Sequence, residues 1–178
     1  MVKLRRYCLF AACIGGWVSL GERAVAIPVV EVAPGVYRGP APETAADYRQ
    51  LREMGIRTVL DVRKFRRRKL DAHGRCVRAH GMEYVRVPIG FYPNRDGSPE
   101  RALRVLADAG RYPIFIHCEL GRDRSGLVIG LYRIRCEGWS VCAAYAEMQR
   151  FGFNERLRGL DRYFWRHAHG SGCVSCGR

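Results

Sequence analysis

Residues 113–132, with the sequence PIFIHCELGRDRSGLVIGLY, decide the fold of this chain. The stretch opens with an apolar, β-rich run at 113–117, which predicts a short buried strand. It closes with an apolar run at 127–132 that predicts a helix, and Gly138 is placed to end that helix. A loop connects the two. Ligand sites of α/β proteins lie beyond the carboxyl ends of the strands, so this junction is where we expect function.

The rest of the chain also alternates between strand and helix patterns. Short β-branched runs predict strands, glycines and prolines punctuate the connections, and Ser98 is expected to cap the helix that follows it. The predicted strands are 36–39, 56–62 and 83–89, and the predicted helices are about 43–54, a segment from the basic run 64–69 to about 80, and 99–109. This alternation predicts an α/β fold with a mostly parallel central sheet flanked by helices.

The composition indicates one globular domain with an anionic partner. The 178 residues are 48% hydrophobic and 27% charged, which suits a single substantial core. Lys and Arg number 31 against 17 Asp and Glu, a net charge of +14, and most of the positive charge is arginine, which binds phosphate bidentately. No aromatic-rich platform or zinc-finger spacing accompanies the basic residues, so nucleic acid is not the expected partner.

The junction contains the pattern Cys-x5-Arg-Ser, from Cys118 to Ser125. A loop of this length can wrap its backbone N–H groups around a tetrahedral anion, and the following helix N-terminus adds free N–H groups and partial positive charge. The same field lowers the pKa of the Cys118 thiol and supplies a thiolate for attack on phosphorus, while Arg124 can bind two phosphoryl oxygens. With Cys118, the residues expected to bind the phosphate form what we call the phosphate loop: Glu119, Leu120, Gly121, Arg122, Asp123 and Arg124.

Neighbouring residues support this chemistry. Ser125 can donate a hydrogen bond to the sulfur and ease its departure from a phosphocysteine, and His117 can hold the loop and tune the thiolate. Gly121 and Gly126 suit tight backbone turns and close approach. The set predicts a two-step phosphomonoesterase that uses neither a metal nor another cofactor.

Residues 117–125 resemble the signature His-Cys-x-x-Gly-x-x-Arg-Ser/Thr of the protein-tyrosine and dual-specificity phosphatases. The flanks extend this resemblance. GVYRGPAP at 35–42 and GIRTVLDVR at 55–63 are similar to the openings of small bacterial tyrosine phosphatases, some of them periplasmic, and YAEMQRF at 145–151 resembles a helix of the plant and fungal atypical dual-specificity group. The resemblance implies hydrolysis of a phosphorylated protein, or of another anionic phosphomonoester, through a phosphocysteine.

The family also needs a general acid to protonate the leaving group, and two aspartates compete for this role. Asp96 lies in the turn-rich loop 90–97, where many family members carry a mobile acid, and Asp123 lies inside the phosphate loop, as in lipid-active and triple-specificity relatives. The loop position favours Asp96, although its surroundings lack the usual Trp-Pro-Asp. The plant and fungal group usually has Lys in place of Glu119, so its preference for inositol pyrophosphates is not carried over to this chain.

Two other functions remain open at this point. A catalytically silent relative would keep the phosphate loop and bind phosphorylated ligands without turnover. A rhodanese-like sulfurtransferase also presents a thiolate in an anion-binding loop, but that loop is usually shorter and lacks the closing Arg-Ser.

Residues 1–26 have the pattern of an export signal. A basic start precedes an apolar run at 7–20, and Ala24-Val25-Ala26 offers small residues at the usual cleavage positions. We therefore expect a phosphatase domain at 27–168 that is periplasmic or secreted. Without cleavage, the same segment would anchor the protein in the inner membrane, the one case in which a membrane is an expected partner.

A tail of residues 169–178 follows the predicted domain. Imidazole and thiolate side chains crowd this end and could form a zinc clip, although their spacing matches no firm signature. A Cys173–Cys176 disulfide or a loose tail are the alternatives. The side chains concerned are His167, His169, Cys173 and Cys176.

Overall fold

The structure, a computed structural model of the chain, describes residues 27–64, 67–93 and 97–168. The strands are β1 (Val30–Ala33), β2 (Val36–Gly39), β3 (Thr58–Asp61), β4 (Glu83–Arg86) and β5 (Ile114–His117). The helices are α1 (Ala45–Glu53), α2 (Arg67–Ala79), α3 (Ser98–Leu106), α4 (Asp123–Glu137), α5 (Val141–Arg150) and α6 (Arg158–Ala168), with a 3-10 turn at Ala109–Arg111. The expected signal at 1–26 and tail at 169–178 lie outside the described residues.

The strands form one sheet in the order β1-β2-β5-β3-β4. All neighbours in it are parallel except β1, which runs antiparallel to β2 at the edge. The register places Gly39 and Asp61 on either side of His117, the last residue of β5. The carboxyl ends of three neighbouring strands therefore meet where the phosphate loop begins, and the prediction of a mostly parallel α/β fold is confirmed.

Helices cover both faces of the sheet. On one face α4 is buried nearly all round, because it lies against β5 and is enclosed by α3, α5 and α6. Its residues Leu127, Val128, Ile129 and Leu131 join the main apolar cluster, and the helix predicted from this apolar run is confirmed. On the other face, α1 and α2 pack with Phe115 of β5 in a second cluster.

The helix ends follow local side-chain chemistry. Thr44 and Asp47 form a capping box at the start of α1, in which the Thr44 hydroxyl accepts from the Asp47 N–H and the Asp47 carboxylate accepts from the Thr44 N–H. Gly138 ends α4 in the left-handed conformation, with φ 70°, as predicted. The prediction that Ser98 caps α3 is wrong, because Gly97 takes that position with φ 59° and Ser98 is the first helical residue.

Several boundaries differ from those predicted. Helix α4 begins at Asp123, inside the Cys-x5-Arg-Ser pattern, so the last part of the predicted loop is the first turn of the helix. Helix α3 ends at Leu106, before the predicted position. β1 and α6 were not predicted. The strand was missed because it is a short edge strand whose first two residues are exposed, which gives no apolar run to recognise.

The described cysteines fall into two groups. Cys76, Cys118 and Cys136 are free thiols, whereas Cys142 is disulfide-bonded. Among the helices of the described ranges, none combines the length and the apolar character that crossing a membrane requires.

Candidate active site

The phosphate loop is held against the carboxyl end of β2 by a glycine. Gly121 adopts a left-handed φ of 68°, and a Cβ atom built there would lie 2.2 Å from the carbonyl oxygen of Gly39. Only glycine fits both this conformation and this close approach. Gly126 differs: a Cβ there would be 3.6 Å from the nearest atom, Nη2 of Arg38, so the space around this position does not itself demand glycine, and its role in supporting the loop stays a prediction.

Cys118 sits at the bottom of the loop, only 2% exposed, with its Sγ 3.5 Å from the Ser125 hydroxyl. Burial alone would raise the pKa of this thiol. It is outweighed by hydrogen bonds from the Ser125 hydroxyl and N–H, by the charge of Arg124 and by the Arg122 N–H, so the pKa is lowered. The structure therefore brings together the predicted nucleophile, the predicted arginine and the predicted serine, in surroundings that favour the thiolate.

Arg124 lies in the first turn of α4 and is largely buried. Its guanidinium carbon is 5.0 Å from the centroid of the Phe91 ring, which is half exposed. Arg124, Phe91, Tyr92 and Lys64 help to line a cavity of about 310 Å³ beside the phosphate loop. Residues 90–92 therefore form one wall of the site.

His117 supports the backbone of the nucleophile. It is fully buried, with Nδ1 3.0 Å from the Cys118 carbonyl oxygen and Nε2 3.1 Å from Nε2 of His73. His73 in turn lies 2.8 Å from the Tyr48 hydroxyl. Burial lowers the pKa of His117 to about 4 and that of His73 to about 3, so both rings are neutral at neutral pH. His117 thus holds the loop through a hydrogen bond rather than by adding a positive charge.

Asp61 and Arg63 form an ion pair beside this histidine pair. Arg63 donates to both carboxylate oxygens of the fully buried Asp61, at 2.8 to 3.1 Å. Burial would raise the pKa of Asp61, but the hydrogen bonds and charge of Arg63 lower it to about 2. Within the described ranges, Asp61, His73 and His117 have ligand atoms close enough to share a cation. The Asp61 oxygens, however, already accept from Arg63 and Tyr84.

The carboxylates of the phosphate loop both have partners away from its centre. Glu119 Oε2 lies 3.7 Å from Nη1 of Arg63, and this arginine could not be identified from the sequence. Asp123 Oδ1 accepts a 2.8 Å hydrogen bond from the Asn154 backbone N–H. Asp96, the other proposed acid, lies outside the described residues, so the choice between the two aspartates stays a prediction.

The rim of the loop is partly apolar. Leu120 is 56% exposed, and Arg122 packs over the backbone of Gly152, where a Cβ would lie 2.8 Å from Cδ of Arg122. Both residues were predicted to bind phosphate through their backbone. Their side chains are exposed at the rim of the loop, and their backbone contacts with phosphate stay a prediction.

Sequence reasoning missed Arg38, His73 and Tyr48. Arg38 is buried beneath the phosphate loop and donates to the Gly121 carbonyl. These residues come from distant parts of the chain, and no spacing rule connects them to Cys118. The only available signal was that Arg38 lies in the stretch 35–42 that resembles known phosphatases.

The sequence model of the tyrosine phosphatase family matches residues 28–168. The chain belongs to the tyrosine phosphatase family. The predicted resemblance is thereby confirmed, and this membership decides against a rhodanese-like sulfurtransferase.

Relatives within the tyrosine phosphatase family include a bacterial and a plant protein. The chain is 30% identical over 140 residues to dual specificity protein phosphatase TpbA of Pseudomonas aeruginosa, covering 77% of this chain and 61% of that protein. It is 32% identical over 92 residues to inositol diphosphatase DSP1 of Oryza sativa, covering 46% of this chain and 38% of that protein. The chain thus spans about three-fifths of the first relative and less than half of the second.

Solved structures of the family share the fold. The crystal structure of Pseudomonas aeruginosa TpbA matches with a TM-score of 0.66 and 26% identity, covering 79% of this chain and 84% of that chain. A second crystal structure of TpbA, in complex with phosphotyrosine, matches with a TM-score of 0.64 and 24% identity, over 81% and 84% of the two chains.

His167, the one member of the suggested zinc clip within the described residues, has other neighbours. Its ring stacks on Tyr163 with centroids 4.0 Å apart, and its Nδ1 lies 3.8 Å from a carboxylate oxygen of Glu100. His169, Cys173 and Cys176 lie outside the described residues, so the zinc clip stays a prediction.

Proposed function

We propose that this protein is a cysteine-dependent phosphomonoesterase that acts through a phosphocysteine on Cys118. The observation that carries the proposal is the buried Cys118 thiol, whose pKa is lowered by the hydrogen bonds of Ser125, the charge of Arg124 and a backbone N–H of the loop. A thiolate held at a helix N-terminus, with an arginine in the same loop, suits nucleophilic attack on a bound phosphate.

In the first step the Cys118 thiolate attacks phosphorus in line with the leaving oxygen. An S–P bond forms as the P–O bond to the leaving group breaks, and an acid protonates that oxygen. Arg124 and the loop N–H groups bind the equatorial oxygens while charge builds on them. Because these donors are fixed before the substrate arrives, little reorganisation is needed during the reaction.

In the second step water attacks the phosphocysteine. The S–P bond breaks, inorganic phosphate is released and the sulfur leaves as a thiolate. The Ser125 hydroxyl, 3.5 Å from the sulfur, can donate to that developing charge. The acid of the first step, now deprotonated, accepts the proton of the attacking water.

We assign the acid to Asp96 rather than to Asp123. One Asp123 oxygen is committed to the Asn154 N–H, which ties the phosphate loop to the segment after α5. That hydrogen bond turns one Asp123 oxygen towards the backbone of Asn154, whereas a general acid must reach the leaving oxygen of the substrate. Asp96→Asn should therefore lower kcat for alkyl phosphates by about 100-fold, with a smaller effect on activated aryl phosphates. An equal loss in Asp123→Asn, without a loss of stability, would reverse the assignment.

We propose that the substrate is a phosphorylated protein that presents an aryl phosphate. The exposed Phe91, Tyr92 and Leu120 give the rim apolar surface for a ring. In addition, Glu119 pairs with Arg63 at the edge of the loop, which leaves less positive charge there for ligands with several phosphates. The relatives point both ways, since TpbA is a dual specificity protein phosphatase and the rice relative an inositol diphosphatase.

We also propose that the protein is exported to the periplasm or secreted. The basic start, the apolar run and the small residues at 24–26 support this. N-terminal sequencing of the protein from the periplasmic fraction should find a start near residue 27. An intact N-terminus in the membrane fraction would favour the uncleaved anchor instead.

The central test is steady-state release of nitrophenol from para-nitrophenyl phosphate, with reductant and a metal chelator present. Turnover that Cys118→Ser abolishes and that the chelator leaves unchanged would establish the thiolate mechanism. A folded parent protein that binds vanadate but does not turn over would instead identify a phosphate-binding module.

A further inference from the structure

Arg38 is a buried arginine that lies beneath the phosphate loop. It stands on β2, the parallel neighbour of the strand that leads to Cys118, and is only 3% exposed. Its Nη2 donates to the Gly121 carbonyl oxygen at 2.7 Å and lies 3.5 Å from that of Arg122. Two successive carbonyl groups of the loop are thereby drawn towards one guanidinium.

The peptide unit that Arg38 binds faces the nucleophile on its other side. The peptide between Gly121 and Arg122 is trans, so its C=O and N–H point in opposite directions. The oxygen accepts from Arg38, and the Arg122 N–H is one of the groups that act on the Cys118 sulfur. A hydrogen bond to the oxygen also polarises the N–H at the other end of the unit.

The charge of Arg38 is only partly compensated. In the part of the chain that the structure describes, its Nη1 is buried and makes no hydrogen bond. Burial lowers its pKa to about 10, so the side chain stays protonated at neutral pH. Glu147 acts on it electrostatically, but that carboxylate is bonded to Arg133 at 2.6 Å. After Glu147, the Cys118 thiolate is the negative group that interacts most strongly with the Arg38 charge.

We propose that Arg38 is a positioning residue for catalysis, which aims the Gly121–Arg122 peptide at the sulfur and the bound phosphate. Its buried charge also stabilises the thiolate and the bound anion from below. The part that concerns phosphate rests on the proposed function. The part that concerns the thiol does not, because thiol reactivity can be measured without turnover.

A merely structural role would give different results. Arg38 also stacks on Phe151, with its guanidinium carbon 4.3 Å from the ring centroid, so its loss could simply loosen the packing. Arg150 provides a matched control, because its guanidinium lies over the same ring at 5.5 Å and 3.8 Å from Glu147, but its side chain is 72% exposed. Arg150→Met removes a charge from the same place without touching the loop.

The experiment compares Arg38→Met, Arg38→Lys and Arg150→Met in the full-length chain. The first measurement is the rate of alkylation by iodoacetamide as a function of pH, followed by mass spectrometry on the peptide that contains Cys118, since Cys76 and Cys136 are also free. The second is the split between kcat and KM on para-nitrophenyl phosphate, and the third is the melting temperature.

In Arg38→Met we expect the alkylation profile to move to higher pH, with the rate on its acid limb about tenfold lower. We expect kcat to fall about 100-fold with a smaller change in KM, because the loop donors act mainly on the transition state. Arg150→Met should match the parent in all three measurements. A folded Arg38→Met protein with the parent's alkylation profile and kcat would overturn the proposal.

Arg38→Lys decides the question if Arg38→Met does not fold. Lysine keeps the buried charge but loses the fork that reaches two carbonyl groups, so we expect an intermediate alkylation profile and a kcat at least tenfold below the parent. A parental profile and kcat in the lysine variant would also overturn the proposal. If the parent itself shows no turnover, the proposed function fails, and the alkylation profiles alone then decide the role of Arg38 at the thiol.

Discussion

Replacing Gly121 by alanine should abolish most activity by moving the phosphate loop. The new Cβ would lie 2.2 Å from the Gly39 carbonyl oxygen, whereas ordinary contacts begin at 3.4 Å. The loop or β2 must therefore shift by about 1 Å, and a misplacement of that size costs about 100-fold in rate. The left-handed φ of 68° adds about 1–2 kcal/mol of strain for a residue with a Cβ.

Gly126→Ala is the matched control for this prediction. It adds the same Cβ atom in the first turn of α4, where the nearest atom is 3.6 Å away. Alanine is also favoured over glycine inside a helix by about 1 kcal/mol. We expect kcat/KM on para-nitrophenyl phosphate to fall at least 100-fold in Gly121→Ala, with a lower melting temperature, and to stay within about twofold of the parent in Gly126→Ala. Equal kcat/KM in the two variants would show that contact with β2 does not set the position of the loop.

Three further variants test other parts of the site. Ser125→Ala should slow hydrolysis of the phosphocysteine by about 100-fold more than its formation, so stopped-flow traces should show a burst of nitrophenol, and linear traces would contradict the role of Ser125. Burial lowers the pKa of His73 from its ordinary value of 6.5 to about 3. The unfolded chain therefore binds this proton at a higher pH than the folded protein does. The stability that neutral His73 contributes is complete above pH 6.5 and is lost as the pH falls from there towards 3. His73→Gln should therefore reduce the loss of unfolding free energy between pH 7 and pH 5 by about 2 kcal/mol in urea titrations, and an unchanged loss would show that His73 is protonated in the folded state. Gly159→Ala would place a Cβ 2.0 Å from the Phe91 carbonyl oxygen, so it should displace residues 90–92 and lower kcat/KM about tenfold or more. Parental kinetics in this variant would show that this wall of the site is not required.

The sequence was sufficient for the local parts of the site. The strand and the helix around Cys118 follow from their apolar runs, and the loop follows from the spacing between Cys118 and Arg124. All of these signals lie within one short segment of the chain. Strand β1 and the cap of α3 were not recovered, because an exposed edge strand has little apolar pattern and because Gly97 can take a backbone conformation that Ser98 would not adopt readily.

The long-range parts of the site could not be predicted. Arg38 reaches the phosphate loop only because β2 pairs with β5, and Arg63 meets Glu119 only because β3 lies on the other side of β5. Strand order is a property of the whole sheet. A spacing rule along the chain therefore cannot identify which arginine serves which part of the loop.

Strand order also explains how a phosphate loop tolerates two carboxylates. Glu119 is turned towards Arg63 at the end of β3, and Asp123 is bound to the Asn154 N–H, so neither negative charge is directed at the anion by its hydrogen bonds or ion pairs. Arg124 in α4 and Arg38 in β2 supply charge to the loop itself. The site thus places the charges of Arg124 and Arg38 at the loop itself and pairs that of Arg63 with Glu119 at its edge. Under the proposed function, the pairing of Arg63 with Glu119 favours an aryl phosphate on a protein over a ligand with a ring of phosphates, because it leaves less positive charge beside the first phosphate.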